Sequence, residues 1–239
     1  MNQLTRRFDL SHRARILEDV NDYPQAILWD MDGTLVDTEP LWDEVIIEIL
    51  AAYGQTMTTD IRNSLIGAAE HHSVPIILDV IGLGPERADD IRTLMNDKIS
   101  ARFDAGVEHK PGAQALLDQA CAAGIKQALV TSTNRALTEH LLPHIGRHYF
   151  DHTITSTEVT HPKPHPEPYA TAARLLEVDV EQCVVVEDSS TGLRSAMSAG
   201  AHVVAVPSDV DLDAELKLRR CDTLDNYDLS GLFDCAVRP

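Results

Sequence analysis

Short, almost uninterrupted apolar runs alternate with helical patterns from residue 112 to residue 206, and this alternation constrains the fold more than any other feature. The runs lie at 125–130, 152–155, 183–186 and 203–206, with an earlier one at 26–30. A strand that is apolar at consecutive positions is buried on both faces, and repeated strand–helix units of that kind predict a parallel, doubly wound sheet. Helices are predicted at 112–122, 135–143, 167–177 and 190–200, with Gly124 and Gly200 as stop signals. One stretch breaks the rhythm. From Pro40 onward Leu41, Val45, Ile46, Ile49 and Leu50, then Ile61, Leu65, Ile76, Ile77, Val80, Ile81, Ile91, Leu94, Ile99 and Phe103, keep helical spacing without strand-like alternation. The expected organisation is therefore an α/β chain with a Rossmann-like doubly wound parallel sheet core at 25–37 and 109–239. An α-helical lobe at 38–108 is inserted after the first strand, and a polar N-terminal extension with Arg6, Arg7, Arg13 and Arg15 occupies 1–24.

With 239 residues, 44% of them apolar, the chain can bury a sizeable core. It contains no run of about eighteen uncharged apolar residues, and charges interrupt its first 22 residues, so a cytoplasmic protein with no membrane partner is expected. Cys121, Cys183, Cys221 and Cys235 show no C-x-x-C spacing. A formal net charge of −18 argues against nucleic acid as a partner, and none is expected. An anionic small molecule then needs a local positive pocket, which a divalent cation, a lysine and helix N-terminal amides can supply.

The strand ends carry such a set. Asp30 and Asp32 follow the first run, and Gly33 permits a sharp turn. Thr131, Ser132 and Asn134 follow the second, Lys163 lies in a proline-rich loop beyond the third, and Glu187 with Asp188 ends the fourth. Each set has a plain alternative: a solvated acidic turn, a helix cap at 131–134, a surface lysine, a second helix cap at 187–188. In a doubly wound sheet, however, the strand carboxyl ends share one rim, and there the four sets together describe a divalent cation beside a phosphate.

These motifs, in this order from about residue 25 to 206, resemble the haloacid dehalogenase superfamily of aspartyl phosphotransferases. Within it the chain is similar to the sugar-phosphate phosphatases and β-phosphoglucomutases that carry a helical cap. The resemblance implies Asp30 as nucleophile and Asp32 as general acid and base. It implies Mg²⁺ held by Asp30, the backbone carbonyl of Asp32, and Asp188, with Glu187 acting through metal-bound water. Gly33, Thr131, Ser132, Asn134 and Lys163 would bind the phosphoryl group, Lys163 also orienting Asp30. The partner expected is a small phosphorylated metabolite, bound by a monomer or weak oligomer.

The turn Asp37-Thr38-Glu39-Pro40-Leu41-Trp42 resembles hexose- and hexitol-phosphate phosphatases, whereas mutases of the group resemble a form with histidine where Trp42 stands. A phosphomutase is the alternative enzyme, and a silent phosphate- and Mg²⁺-binding regulatory domain the alternative of another class. Hinges for cap closure are expected near Asp37-Thr38 and at 108–112. His71 and His72, about 100° apart on a helix, cannot face one ion. His161 and His165, flanking Lys163, are read as structural, and Lys98 and Arg102 as a solvated helix face.

Overall fold

A computed structural model describes residues 24–65, 70–206, 212, 216, 218, 221 and 223–238. The extension expected at 1–24 lies, apart from Pro24, outside the described residues. Five strands, β1 (Ala26–Trp29), β2 (Lys126–Val130), β3 (His152–Ile154), β4 (Cys183–Glu187) and β5 (His202–Ala205), form one parallel sheet in the order β3-β2-β1-β4-β5. The helices that follow β1 are α1 (Glu39–Ala52), α2 (Thr59–Leu65), α3 (Glu70–Ile81) and α4 (Ala88–Ala105). The crossovers of the sheet carry α5 (Ala113–Ala123), α6 (Arg135–Ile145), α7 (Glu167–Leu175) and α8 (Ser190–Ala199), and α9 (Leu229–Asp234) follows β5.

The strands alternate between two apolar layers. Ile27, Trp29, Leu129, Val184, Val186 and Val204 pack on one side with Leu116, Leu117, Leu137 and Leu141 of α5 and α6. Ala26, Leu28, Ala128, Val130, Val185 and Val203 pack on the other with Tyr169, Ala172, Leu193 and Ala196 of α7 and α8. Burial on both faces is why these strands read as continuous apolar runs. The first layer also takes in Val45, Ile49, Ile77, Ile91, Ile99 and Phe103 of the inserted helices.

Differences from the sequence-based boundaries have local causes. β4 runs on to Glu187, whose backbone pairs with Ala205 and whose side chain is buried under four hydrogen-bond donors. α6 continues through Pro143 to Ile145. The sequence predicts nothing after residue 206, yet α9 forms there. It is capped by Asp228, which accepts from Gly231 N, and Val237 then pairs antiparallel with Val203.

The chain order reverses about β1, which sits between β2 and β4, and ligands of open α/β sheets bind outside the carboxyl ends of strands at such a point. The register brings the chemistry there: Trp29 pairs with Leu129 and with Val186, so Asp30, Thr131 and Glu187 leave the sheet at nearly one level.

Candidate active site

Lys163 organises the rim. Its Nζ donates to Asp30 Oδ1, to Glu187 Oε1 and to the Val130 carbonyl, each at 2.8 Å, and lies 4.8 Å from the centroid of the Tyr169 ring. All three of its N–H donors are thereby engaged. The side chain is 2% exposed, which excludes the surface-lysine alternative. Glu187 is equally committed. Its Oε1 also accepts from Tyr169 OH at 3.1 Å, and its Oε2 accepts from Ser189 N and Ser189 Oγ, both at 2.9 Å. Ser189 in turn caps α8 through Gly192 N. A side chain at Gly192 would place its Cβ 1.5 Å from Glu187 Oε1, so the missing side chain is what lets the helix approach the acid.

Asp188 is 5% exposed, with Thr34 Oγ1 3.5 Å from its Oδ1. Gly33, at φ +77°, turns its α-carbon against this carboxylate, and a Cβ there would lie 2.2 Å from Asp188 Oδ2. Asp30, Glu187 and Asp188 each offer an oxygen within 4.8 Å of the others. Three buried carboxylates share one ammonium, and the crowding appears in the protonation of Asp30 and Asp188. Burial and then the Glu187 charge raise the Asp30 carboxyl to about 7 against the opposing pull of Lys163. Asp188 is pushed well above the usual carboxylate range by burial, then by Asp30, Glu187 and Glu39. For Lys163 burial works against the ammonium, but Asp30, Glu187 and Tyr169 outweigh it and hold its pKa well above the ordinary value.

Asp32 turns its carboxylate to a different set of partners. Thr38 Oγ1 donates to its Oδ1 at 2.7 Å, and Thr131 Oγ1 and Thr133 Oγ1 donate to its Oδ2 at 3.1 and 2.8 Å. Thr131 Oγ1 accepts from Thr133 N, which fixes the turn between the two hydroxyls. Asn134 is the N-cap of α6, its Oδ1 accepting from Leu137 N at 3.0 Å, while its Nδ2 reaches Asn96 of α4 at 3.5 Å. Ser132 lies half-buried between Thr131 and Thr133. The expected site residues thus gather at one rim in two groups: Asp30, Lys163, Glu187 and Asp188 around the ammonium, and Asp32 with the threonines. Thr133, Tyr169 and Gly192 were not among them. Thr133 stands inside the 131–134 turn, and its hydroxyl is the signal the sequence offers; Tyr169 and Gly192 offer none, since their partners lie elsewhere in the chain.

The inserted helices leave and rejoin the sheet side by side. Val36 bridges His109 antiparallel, Asp37 N donates to Glu108 O, and Lys110 N donates to Leu35 O. Lys98 and Arg102 pair with Glu48, and Arg102 also with Glu44, so their helix face is tied to α1. Of the histidine pair, the His71 side chain lies outside the described residues.

A family model described as haloacid dehalogenase-like hydrolase matches residues 24–200. A phosphorylated carbohydrates phosphatase from Thermotoga maritima is 32% identical over 177 residues, 74% of this chain and 82% of that one. Fructose-1-phosphate phosphatase YqaB from Escherichia coli is 31% identical over 191 residues, 76% of this chain and 95% of that one. Among solved structures, CbbY from Rhodobacter sphaeroides in complex with phosphate superposes with a TM-score of 0.76 at 29% identity, covering 87% of this chain and 99% of that one. The family match spans the first four strands, the inserted helices and every rim residue described above: the chain belongs to the haloacid dehalogenase-like hydrolases, as a phosphoric monoester hydrolase.

Proposed function

We propose that the chain is a Mg²⁺-dependent phosphatase that hydrolyses small sugar or polyol phosphate monoesters through an aspartyl-phosphate on Asp30. The observation that carries this reading is the buried Lys163–Asp30 pair beside Asp188 at the switch point of the sheet, with Asp32 two residues on inside a shell of hydroxyls. In the first half-reaction an Asp30 oxygen attacks phosphorus, the bond from phosphorus to the sugar oxygen breaks, and Asp32 delivers its proton to that oxygen. In the second, Asp32 takes a proton from water as the water oxygen attacks phosphorus. The Asp30–phosphorus bond breaks, returning the carboxylate and inorganic phosphate. Thr38, Thr131 and Thr133 serve both protonation states of Asp32, because a hydroxyl rotates to donate or accept. With every N–H of Lys163 engaged, its charge is what acts on the phosphate. The amides at the start of α6, with Thr131, Ser132 and Gly33, supply the oxygen contacts.

The donors fit a hard divalent cation. Three carboxylates against one ammonium leave two negative charges uncompensated, and the raised Asp30 and Asp188 are what a nearby cation would return to the ionised form. Asp30, Asp188 and the Asp32 backbone carbonyl would hold Mg²⁺, Glu187 being occupied by four donors of its own. Bound there, Mg²⁺ supplies screening between the anionic nucleophile and the anionic phosphate.

Residues 38–108 act as a cap over a core of 25–37 and 109–239, hinged where Asp37 meets Glu108 and Leu35 meets Lys110. Sugar phosphates as substrates are supported by the activities named for the Thermotoga and Escherichia relatives, and polyol phosphates by the resemblance of the 37–42 turn. The phosphatase form is favoured over the mutase by the resemblance of the 37–42 turn, in which Trp42 stands where mutases have histidine; here Trp42 packs edge-on against Phe103, with ring centroids 6.1 Å apart. The test is phosphate release over a panel of sugar, polyol and nucleotide monophosphates, with a hexose 1-phosphate and a bisphosphate primer as the mutase arm. Steady release from sugar or polyol phosphates, abolished by Mg²⁺ removal and by Asp30→Asn, is expected. Isomerisation without net release, or an Asp30→Asn protein as fast as the parent, would refute the reading.

A further inference from the structure

The loop that carries Lys163 holds a second constellation on its outer side. Prolines at 162, 164 and 166 alternate along it and restrict its backbone, and Pro168 stands in the first turn of α7. The His161 and His165 rings lie over one another, with centroids 4.5 Å apart and planes tilted by 32°. Glu167 is folded back beneath them: its Oε1 accepts from Thr160 N at 2.7 Å, and its Oε2 accepts from His161 N at 2.9 Å. The same Oε2 stands 2.8 Å from His161 Nδ1. One ring nitrogen of each histidine and a carboxylate oxygen of Glu167 lie within 4.8 Å of one another. His161 is 61% exposed, so the group faces solvent while Lys163 points inward from the same loop.

We propose that His161, His165 and Glu167 form a surface metal site for a borderline divalent ion of the Zn²⁺ type, separate from the buried carboxylates. The ligand chemistry separates the two sites. Two imidazoles and one carboxylate suit Zn²⁺ and its neighbours, whereas Mg²⁺ seeks oxygen donors alone. Zinc bonds of about 2.0–2.2 Å to nitrogen and oxygen set neighbouring tetrahedral ligands about 3.3 Å apart, so His161 Nδ1 and Glu167 Oε2, now 2.8 Å apart, need to separate by only about half an ångström. The ion takes the place of the proton those two atoms share, and the imidazole keeps a proton on Nε2. His165, whose Nδ1 already accepts from Glu167 N at 3.2 Å, supplies the third ligand through Nε2, and water the fourth. Two backbone amides already hold the carboxylate, and the prolines limit the loop, so little ordering remains to be done on binding. The consequence is a clamp across residues 161–167, with Lys163 inside it.

The test is titration of the full chain with Zn²⁺ against a chromophoric chelator, with Mg²⁺ in saturating excess. One Zn²⁺ per chain is expected in the parent and in Asp30→Asn. His161→Ala and His165→Ala should each weaken it by at least the roughly 10- to 100-fold that loss of a mere outer-shell partner costs a metal site. Amide exchange at 160–167 should slow on adding Zn²⁺ in the parent and stay unchanged in the variants. Exposed histidines make these variants safe for folding, which thermal unfolding without Zn²⁺ checks. A parent that fails to compete with the chelator would overturn the proposal. So would variants that bind as the parent does, since the ion would then sit on the cysteines or the buried acids.

Discussion

Removing the charge of Asp30 should stabilise the metal-free protein, and do so more as the pH rises. Three carboxylates crowd one ammonium at the rim, and the Asp30 carboxyl is raised from 3.8 to about 7 by burial and by Glu187. Each unit is worth about 1.4 kcal/mol, so the ionised form is disfavoured in the native state by about 4 kcal/mol. The sign follows from proton counts. Below about pH 4 native and unfolded chains both hold this proton; between about 4 and 7 only the native chain does; above 7 neither does. Stability from this group is therefore lost as pH rises from about 4 to about 7 and is level beyond. Asn cannot ionise and keeps an oxygen for Lys163. The advantage of Asp30→Asn over the parent should widen by about 2–3 kcal/mol from pH 5 to pH 8, or roughly 5–10 °C in Tm for a chain of this size. Thermal unfolding followed by circular dichroism in a chelator, at matched pH for both proteins, reads the difference and cancels the other carboxylates. Saturating Mg²⁺ should reverse the order at pH 8, because the parent keeps a ligand that the variant has lost. A gap that stays constant with pH would refute the charge argument.

Lys163→Met leaves the buried acids unpaired, and a loss of about 3–5 kcal/mol is expected from denaturant unfolding without metal, partly recovered by Mg²⁺. Gly33→Ala must take φ +77° and push Asp188 Oδ2 from a position 2.2 Å from the new Cβ; backbone strain of about 1–2 kcal/mol and a higher Mg²⁺ concentration for half-maximal phosphate release should follow. Thr133→Val removes one of three hydroxyl donors to Asp32. At about 1.5–3 kcal/mol for a hydrogen bond to a charged group, kcat should fall by tenfold or more with KM little changed.

The sheet was legible because burial on both faces leaves no polar alternation to blur a strand, as in 183–186, and the candidate site because its residues sit where such runs end. What escaped depends on partners far along the chain. Tyr169 reads as one more apolar residue of α7 until its hydroxyl meets Glu187, and Gly192 as a helix start until the same carboxylate is found where its side chain would be. The turn at 131–134 is more instructive, since helix cap and ligand site were posed there as alternatives. The structure divides the turn by residue: Asn134 caps α6, while Thr131 and Thr133 donate to Asp32. In a doubly wound fold the helix after each strand begins at the rim, so the residues that cap it and the amides that face a ligand occupy the same few positions. A cap signal at a strand's carboxyl end is therefore no evidence against a site. Thr38 extends the point to the other side of the cleft. It opens the inserted helices and is fully buried, yet its hydroxyl is spent on Asp32 rather than on capping α1. Asp32 is thus held from the sheet by two threonines and from the start of the insert by a third. Any movement of the insert at residues 37–38 must be felt at that carboxylate.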